Sequence, residues 1–185
     1  MFTRKLNDDI TLSLSIPGHS KALLALIEQN RGFLRQWVPW VDSILTVDEL
    51  SRDLNEQLTK FAHKQGLHAT IFYQGEIAGV ISYQYIDHDN NAGYLGYWLG
   101  KAFNGKGIMT LATKDMIEVG FEYFSLKKID IRCTMANTKS RAIPERLGFT
   151  QEGIARCAQR VGEEYFDQAI YGLIREEYQS AHADT

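Results

Sequence analysis

The chain has 185 residues, 44% of them hydrophobic and 23% charged, which suits one domain with a full core and excludes the low-hydrophobicity signature of disorder. Its formal net charge is −3 with Lys and Arg scattered, so the electrostatic term that drives nucleic-acid binding is missing and no direct nucleic-acid target is expected. The two cysteines, Cys133 and Cys157, are not closely paired and have no histidines at ligand spacing, which indicates neither a disulfide framework nor a metal site.

In chain order, the amino terminus meets charge at Arg4 and carries no apolar signal core. No later stretch reaches the roughly 18 apolar residues of a membrane span, so a cytoplasmic protein is the expectation. Ile10 to Ile16 alternates apolar and polar residues, the period of a half-buried strand, and Pro17-Gly18 ends it. Leu23, Leu24 and Ile27 then recur at helical spacing between Ser20 and Asn30. Thr46-Val47-Asp48-Glu49 reads as a capping box opening a second helix, with Leu50, Leu54, Leu58 and Phe61 on one face. Between these helices Pro39 breaks the aromatic segment Phe33 to Trp40, which serves as a lid over the core, as a wall of a substrate pocket, or as both.

Extended runs at His68–Gln74, Ile77–Tyr85 and Ala92–Leu99, separated by turns, predict an antiparallel meander. A helix from Met109 to Phe124 follows, with Leu111, Ala112, Met116, Val119 and Gly120 on its stripe, and then a strand over Ile129–Cys133. That helix should cross between two parallel strands. A short helix over Thr138–Leu147 ends at Gly148, suited to a left-handed cap, and runs at Phe149–Arg160 and Glu164–Ile174 turn at Val161-Gly162-Glu163 to finish the fold. Seven strands are expected in all, in a single domain spanning residues 1–185.

Chemistry concentrates where the strand Tyr94–Leu99 feeds a glycine turn that opens a helix. Such a turn directs backbone N–H groups and the positive helix end at one point, a place for a phosphate. From Gly100 to Lys114 there are three lysines and no acid, although helix starts favour Asp and Glu, and so an anion is expected there. Gly100 to Gly107 nearly matches the nucleotide P-loop, but Gly107 stands where the magnesium-binding hydroxyl is needed and the preceding strand belongs to a meander.

Asn104-x-x-Gly107-x-Met109 instead resembles the Q/R-x-x-G-x-G/A pyrophosphate loop of the GNAT N-acetyltransferases, with two of its three signature positions substituted. Thirty residues beyond Gly107, Asn137-Thr138-Lys139-Ser140 followed by Leu147-Gly148-Phe149 is similar to the N-x-x-S…GF segment of that family. Gly96-Tyr97-Trp98-Leu99, Gly105-Lys106-Gly107-Ile108 and Leu147-Gly148-Phe149-x-x-Glu152-Gly153 look most like the ribosomal-protein N-terminal (serine/alanine) acetyltransferases. The resemblance spans nearly the whole chain. It implies an α+β, three-layer GNAT fold with a mixed, largely antiparallel sheet flanked by helices.

It further implies acetyl-CoA as cofactor and direct attack by an acceptor amine in a ternary complex, with no metal. The backbone at Trp98 and Leu99 would polarise the thioester, Asn104, Gly105, Lys106, Gly107, Ile108, Met109 and Thr110 would hold the pyrophosphate, and Asn137 the pantetheine arm. Ser140 would protonate or hydrogen-bond the departing sulfur, while Asn137 and Ser140 also suit the cap and first turn of a short helix. Trp37, Trp40, Tyr83 and Tyr97 are the candidate walls of the substrate pocket.

The base departs from the family: its expected glutamates fall at Tyr94 and near Gln159. Asp167, Glu152 and His88 are substitutes, or a water chain through Tyr94, Tyr97 or Tyr83 suffices. A peptide α-amine, with a pKa of about 7.7–8.0, is far more often neutral than a lysine at about 10.4, which favours a protein amino terminus as acceptor. A small amine such as a polyamine, antibiotic or metabolite, and a non-catalytic acetyl-CoA sensor, are the alternatives. Assembly as a homo-oligomer stays open.

Overall fold

The computed structural model describes residues 3–183. Its centre is one eight-stranded sheet. The strands are β1 (Thr3–Lys5), β2 (Ile10–Leu14), β3 (Leu67–Tyr73), β4 (Glu76–Asp87), β5 (Ala92–Leu99), β6 (Lys128–Thr134), β7 (Thr150–Val161) and β8 (Glu164–Ile174). Their order is β1-β2-β3-β4-β5-β6-β8-β7, antiparallel at every step except between β5 and β6. This is the mixed, largely antiparallel α+β sheet expected, with β1 as an eighth strand that three residues were too few to announce.

Side chains alternate between the two faces of a strand, and the core divides accordingly. On one face Val80 and Trp98 pack with Leu23, Ile27, Leu50 and Leu54 of α1 (Ser20–Leu34) and α2 (Val47–Ala62). On the other, Ile81 and Leu95 pack with Ala112 and Met116 of α3 (Ile108–Glu118). Ile143 of α4 (Thr138–Arg146) and Tyr178 of α5 (Arg175–Ala183) join that second cluster. The apolar pattern barely signals α5, a nine-residue polar helix. Tyr178 packs on Phe121 at 5.2 Å.

Local chemistry sets the helix boundaries. The Thr46 hydroxyl accepts from the Glu49 N–H at 3.2 Å while the Glu49 carboxylate accepts from the Thr46 N–H at 2.9 Å, completing the capping box. Pro39 opens a 3-10 turn over Pro39–Asp42. The helix expected from Met109 to Phe124 is α-helical only to Glu118 and widens into a π turn over Val119–Tyr123. Leu111, expected on the stripe, lies within the regular α-helical part but off the face formed by Ile108, Met109, Ala112, Met116 and Ile117, and is 38% exposed. No helix among the described residues is long and apolar enough to cross a membrane.

Tyr83, expected in the substrate pocket, is instead a core residue with 1% exposure. Its hydroxyl donates to the Met116 carbonyl at 2.8 Å, and its ring lies against Phe124. β4 shifts register between Tyr83 and Tyr85, so two tyrosines that a regular strand would place on one face part company, and only Tyr85 reaches the cleft described below. Tyr83→Phe should therefore lower stability by about 1 kcal/mol, read by denaturant unfolding, and leave acetyl-CoA turnover unchanged.

His68 on β3 faces α2, with its Nδ1 shielded from solvent and unpartnered. Burial, aided by the Lys60 charge, lowers its pKa to about 4. Unfolded His, with a pKa of about 6.5, takes up a proton before the folded chain does, so stability should fall as pH drops from about 6.5 to about 4. Unfolding of His68→Asn across that window should show a shallower fall.

Candidate active site

The parallel strands β5 and β6 pair only from Ala92↔Lys128 to Leu95↔Ile131. β5 continues along β4 to Leu99, and β6 along β8 to Thr134, so beyond Leu95 the two strands part. Tyr97 stands in the gap and donates its hydroxyl to the Ser140 carbonyl at 3.0 Å. Asn137 caps α4 just beyond β6, accepting from the Ser140 N–H at 3.2 Å, and the Ser140 Oγ lies 3.3 Å from the Cys133 Sγ. The cap reading of Asn137 thus holds. It also fixes where Ser140 stands.

Two pockets open from this gap. The smaller, about 280 Å³, runs between the end of α1 and α4, past Leu99, Asn104, Met109 and Ile143. The larger, a cleft of about 920 Å³, lies between α1–α2 and the sheet. They share Trp37, Val38, Tyr97, Trp98, Asn137 and Ser140, which define a junction. Trp40, exposed at the rim, meets Trp98 edge-on at 6.2 Å. Tyr94 lines only the cleft, stacked on Tyr85 at 5.9 Å with Arg132 5.8 Å from its ring centroid. Four residues of strand separate it from Trp98, about 13 Å, so Tyr94 is not brought to the junction.

The turn before α3 has the shape of an anion cradle. Gly105 and Gly107 are left-handed, with φ of 78° and 74°, and a Cβ on either would meet nothing within 4 Å. The first turn of α3 holds no acid, so the N–H groups from Gly107 onward face open space with the positive helix end behind them. The side chains of the turn are engaged elsewhere. The Asn104 amide donates to the Gly100 and Lys101 carbonyls at 3.1 and 3.3 Å, and the Lys106 ammonium lies 4.9 Å from the Tyr73 ring centroid. Arg146, at the far end of α4, donates to the Thr110 hydroxyl at 2.9 Å and brings a cation to the helix start. Its separation of 36 residues from Thr110 hid that pairing from sequence reasoning.

None of the substitute bases lines either pocket. Asp167 accepts from the Cys157 N–H, Glu152 pairs with Lys128 at 2.7 Å, and His88 lies exposed in the β4–β5 turn. Among the described residues the cleft's carboxylates are Asp53 and Asp130, the latter paired with Lys128 at 3.0 Å. Burial raises Tyr97 and Cys133 above their ordinary values, so neither is charged near neutral pH. Gln159 enters the cleft as an amide. No group of three or more His, Cys, Asp or Glu among the described residues could hold a metal ion.

Comparison with known proteins bears on this arrangement. The putative ribosomal N-acetyltransferase YdaF of Bacillus subtilis (strain 168) is 34% identical over 180 residues, 97% of this chain and 98% of that protein. The structure of RimL, a ribosomal L7/L12 alpha-N-protein acetyltransferase, in complex with coenzyme A matches with a TM-score of 0.91 at 26% identity, over 95% of this chain and 99% of that one. The microcin C7 self-immunity acetyltransferase MccE, in complex with acetyl-CoA and AMP, matches with a TM-score of 0.87 at 33% identity, over 92% and 94%. Residues 10–150, which run from β2 through the cradle and the gap to the start of β7, match the family model described as an acetyltransferase (GNAT) domain, and the chain belongs to that family.

Proposed function

We propose that this chain acts throughout as one N-acetyltransferase domain, moving the acetyl group of acetyl-CoA to the N-terminal α-amine of a protein, with ribosomal proteins as the acceptor class. One observation carries the reading: two pockets meet at the single point where β5 and β6 part, one leading from the anion cradle and the other open to an acceptor. The names of YdaF and RimL support the acceptor class.

Bound acetyl-CoA supplies a thioester, with the carbonyl carbon as electrophile and the thiol as leaving group. The N–H groups from Gly105 to Thr110 hold the pyrophosphate at the acid-free start of α3, and Arg146 adds a cation beside them. Leu99, where β5 has lost its β6 partner, would present its backbone N–H to the carbonyl oxygen, whereas the Trp98 N–H points the other way, towards β4. Asn137 would position the arm, and Ser140 would pass its hydroxyl proton to the departing sulfur and regain one, through water, from the nitrogen that has formed the new C–N bond as the C–S bond breaks.

A small acceptor with a planar group is the second reading. MccE was solved with AMP, and the cleft here is walled by Trp37, Trp40 and Trp98 on one side and Tyr85 with Tyr94 on the other. Acetyl-CoA turnover against N-terminal peptides, lysine peptides, polyamines and aminoacyl nucleotides separates the readings. Binding without turnover on any of them would leave the sensor.

At the site, Gly107→Val should weaken acetyl-CoA binding at least about 100-fold by calorimetry with far-ultraviolet dichroism intact, because the left-handed φ is lost and the cradle is filled. Ser140→Ala should cut kcat about 10- to 100-fold with a much smaller change in acetyl-CoA Kd. An equal loss of both would reduce Ser140 to a helix-start residue.

With no ionised base at the junction, the acceptor must arrive neutral. The acid limb of kcat/KM should therefore follow the acceptor's own amine pKa, and at pH 7 α-amines should outrun lysine side chains by about 100-fold. A limb that stays in place across acceptors of different pKa would show that an enzyme group, not the acceptor, sets it.

A further inference from the structure

β7 departs from regular pairing just where it passes the cleft. Between Ala155↔Gln168 and Gln159↔Phe166, β7 sets Arg156, Cys157 and Ala158 against the single residue Asp167 of β8. Cys157 is left-handed at φ 51°, a conformation that costs free energy for a non-glycine residue, and its N–H is held by the Asp167 carboxylate at 2.9 Å. The bulge delivers Gln159 to the cleft wall.

Both ends of the Gln159 amide are engaged. Its Nε2 donates to the Trp37 carbonyl at 2.9 Å, while its Oε1 accepts from the Thr134 hydroxyl at 2.7 Å and the Gln168 amide at 2.8 Å. A carbonyl only accepts, so the Trp37 contact alone decides which way the amide points. Every other hydrogen bond described for residues 35–45 stays within the α1–α2 region, whereas this one spans 122 residues of sequence. Trp37 and Val38 belong to both pockets, so the latch closes on the roof of the junction.

We propose that Gln159 is a positioning residue that latches the aromatic segment at Trp37 over the acyl-transfer point. The inference rests on the junction being that point. It also explains why an amide serves here: a carboxylate could accept from Thr134 and Gln168 but would have no proton for the Trp37 carbonyl, and would face it with like polarity.

The test compares Gln159→Met, Gln159→Glu and Thr134→Val with the wild-type full chain. Two readouts are used: kcat/KM for an N-terminal peptide with acetyl-CoA, and acrylamide quenching of the three tryptophans, Trp37, Trp40 and Trp98, without acceptor. Gln159→Met should lower kcat/KM about tenfold at every pH and raise quenching. Thr134→Val, which removes one of the two donors to the Gln159 Oε1, should shift both readouts the same way by less, and serves where the methionine variant fails to fold.

For Gln159→Glu, the ratio of its kcat/KM to the wild-type value should be lowest near pH 8.5 and recover as pH falls towards 5, since burial and the facing Trp37 carbonyl raise the carboxyl above the ordinary glutamate pKa of about 4.3 and its protonation restores a donor. The titratable and charged neighbours on the sheet side are Tyr97, Asp130, Arg132 and Cys133, with Asp167 held by Cys157. His68, Tyr85 and Tyr94 also line the sheet side, and across the cleft stand Asp53 and Lys60 of α2. All are common to both proteins and largely cancel in the ratio. A ratio that instead rises with pH marks the position as a base site and overturns the proposal, as does a methionine variant with wild-type kinetics and quenching. If no peptide is acetylated, the quenching decides the latch alone.

Discussion

The site depends on how short the parallel pairing of β5 with β6 is. Four register pairs hold the strands together, and then β5 follows β4 while β6 follows β8. Buried backbone groups left without a ladder are costly unless something else takes them up, so such a gap persists only where its surroundings maintain it. Tyr97 props it with a hydroxyl bonded to the Ser140 carbonyl, and α4 starts at its mouth under the Asn137 cap. Both pockets are consequences of this one divergence.

The two pockets differ in electrostatics. The cradle side is built from backbone: left-handed glycines, an acid-free helix start and one guanidinium brought over from α4. The cleft side is mostly neutral where it meets the junction, with an amide at Gln159 and phenol and thiol groups that burial keeps protonated. A neutral junction lets an uncharged amine approach without a desolvated counter-charge, and it leaves the proton balance to the acceptor and to water. The aromatic segment between α1 and α2 borders the cleft with the rings of Trp37 and Trp40, and its Trp37 carbonyl is anchored at Gln159.

The features legible along the chain were those with local causes. The alternation at Ile10–Leu14, the capping box at Thr46–Glu49, the glycine cap at Gly148 and the cradle at Gly105–Gly107 all rest on residues within a few positions of each other. Leu111 misled because the side of the helix that meets the sheet lies elsewhere, and Tyr83 because its face of β4 is covered by Met116 and Phe124. Neither has a sequence signal, since each is set by what packs across the sheet. The nine-residue α5 escaped notice for a related reason: Tyr178 supplies its packing, too little for an apolar period.

Periodicity carried the strands and most helices, the resemblance of the Asn104–Met109 and Asn137–Phe149 motifs carried the family and with it the layer architecture, and Gly105 and Gly107 carried the left-handed turn before α3, because these are properties of segments. Tertiary structure alone decided the distances between segments. It placed Arg146 beside Thr110, turned Tyr83 into the core, kept Asp167, Glu152 and His88 out of the pockets and set Gln159 against Trp37. Each of these joins residues far apart in the chain. Local preferences carry no information about which distant backbone carbonyl will stand at hydrogen-bond distance, and only the assembled sheet supplies it.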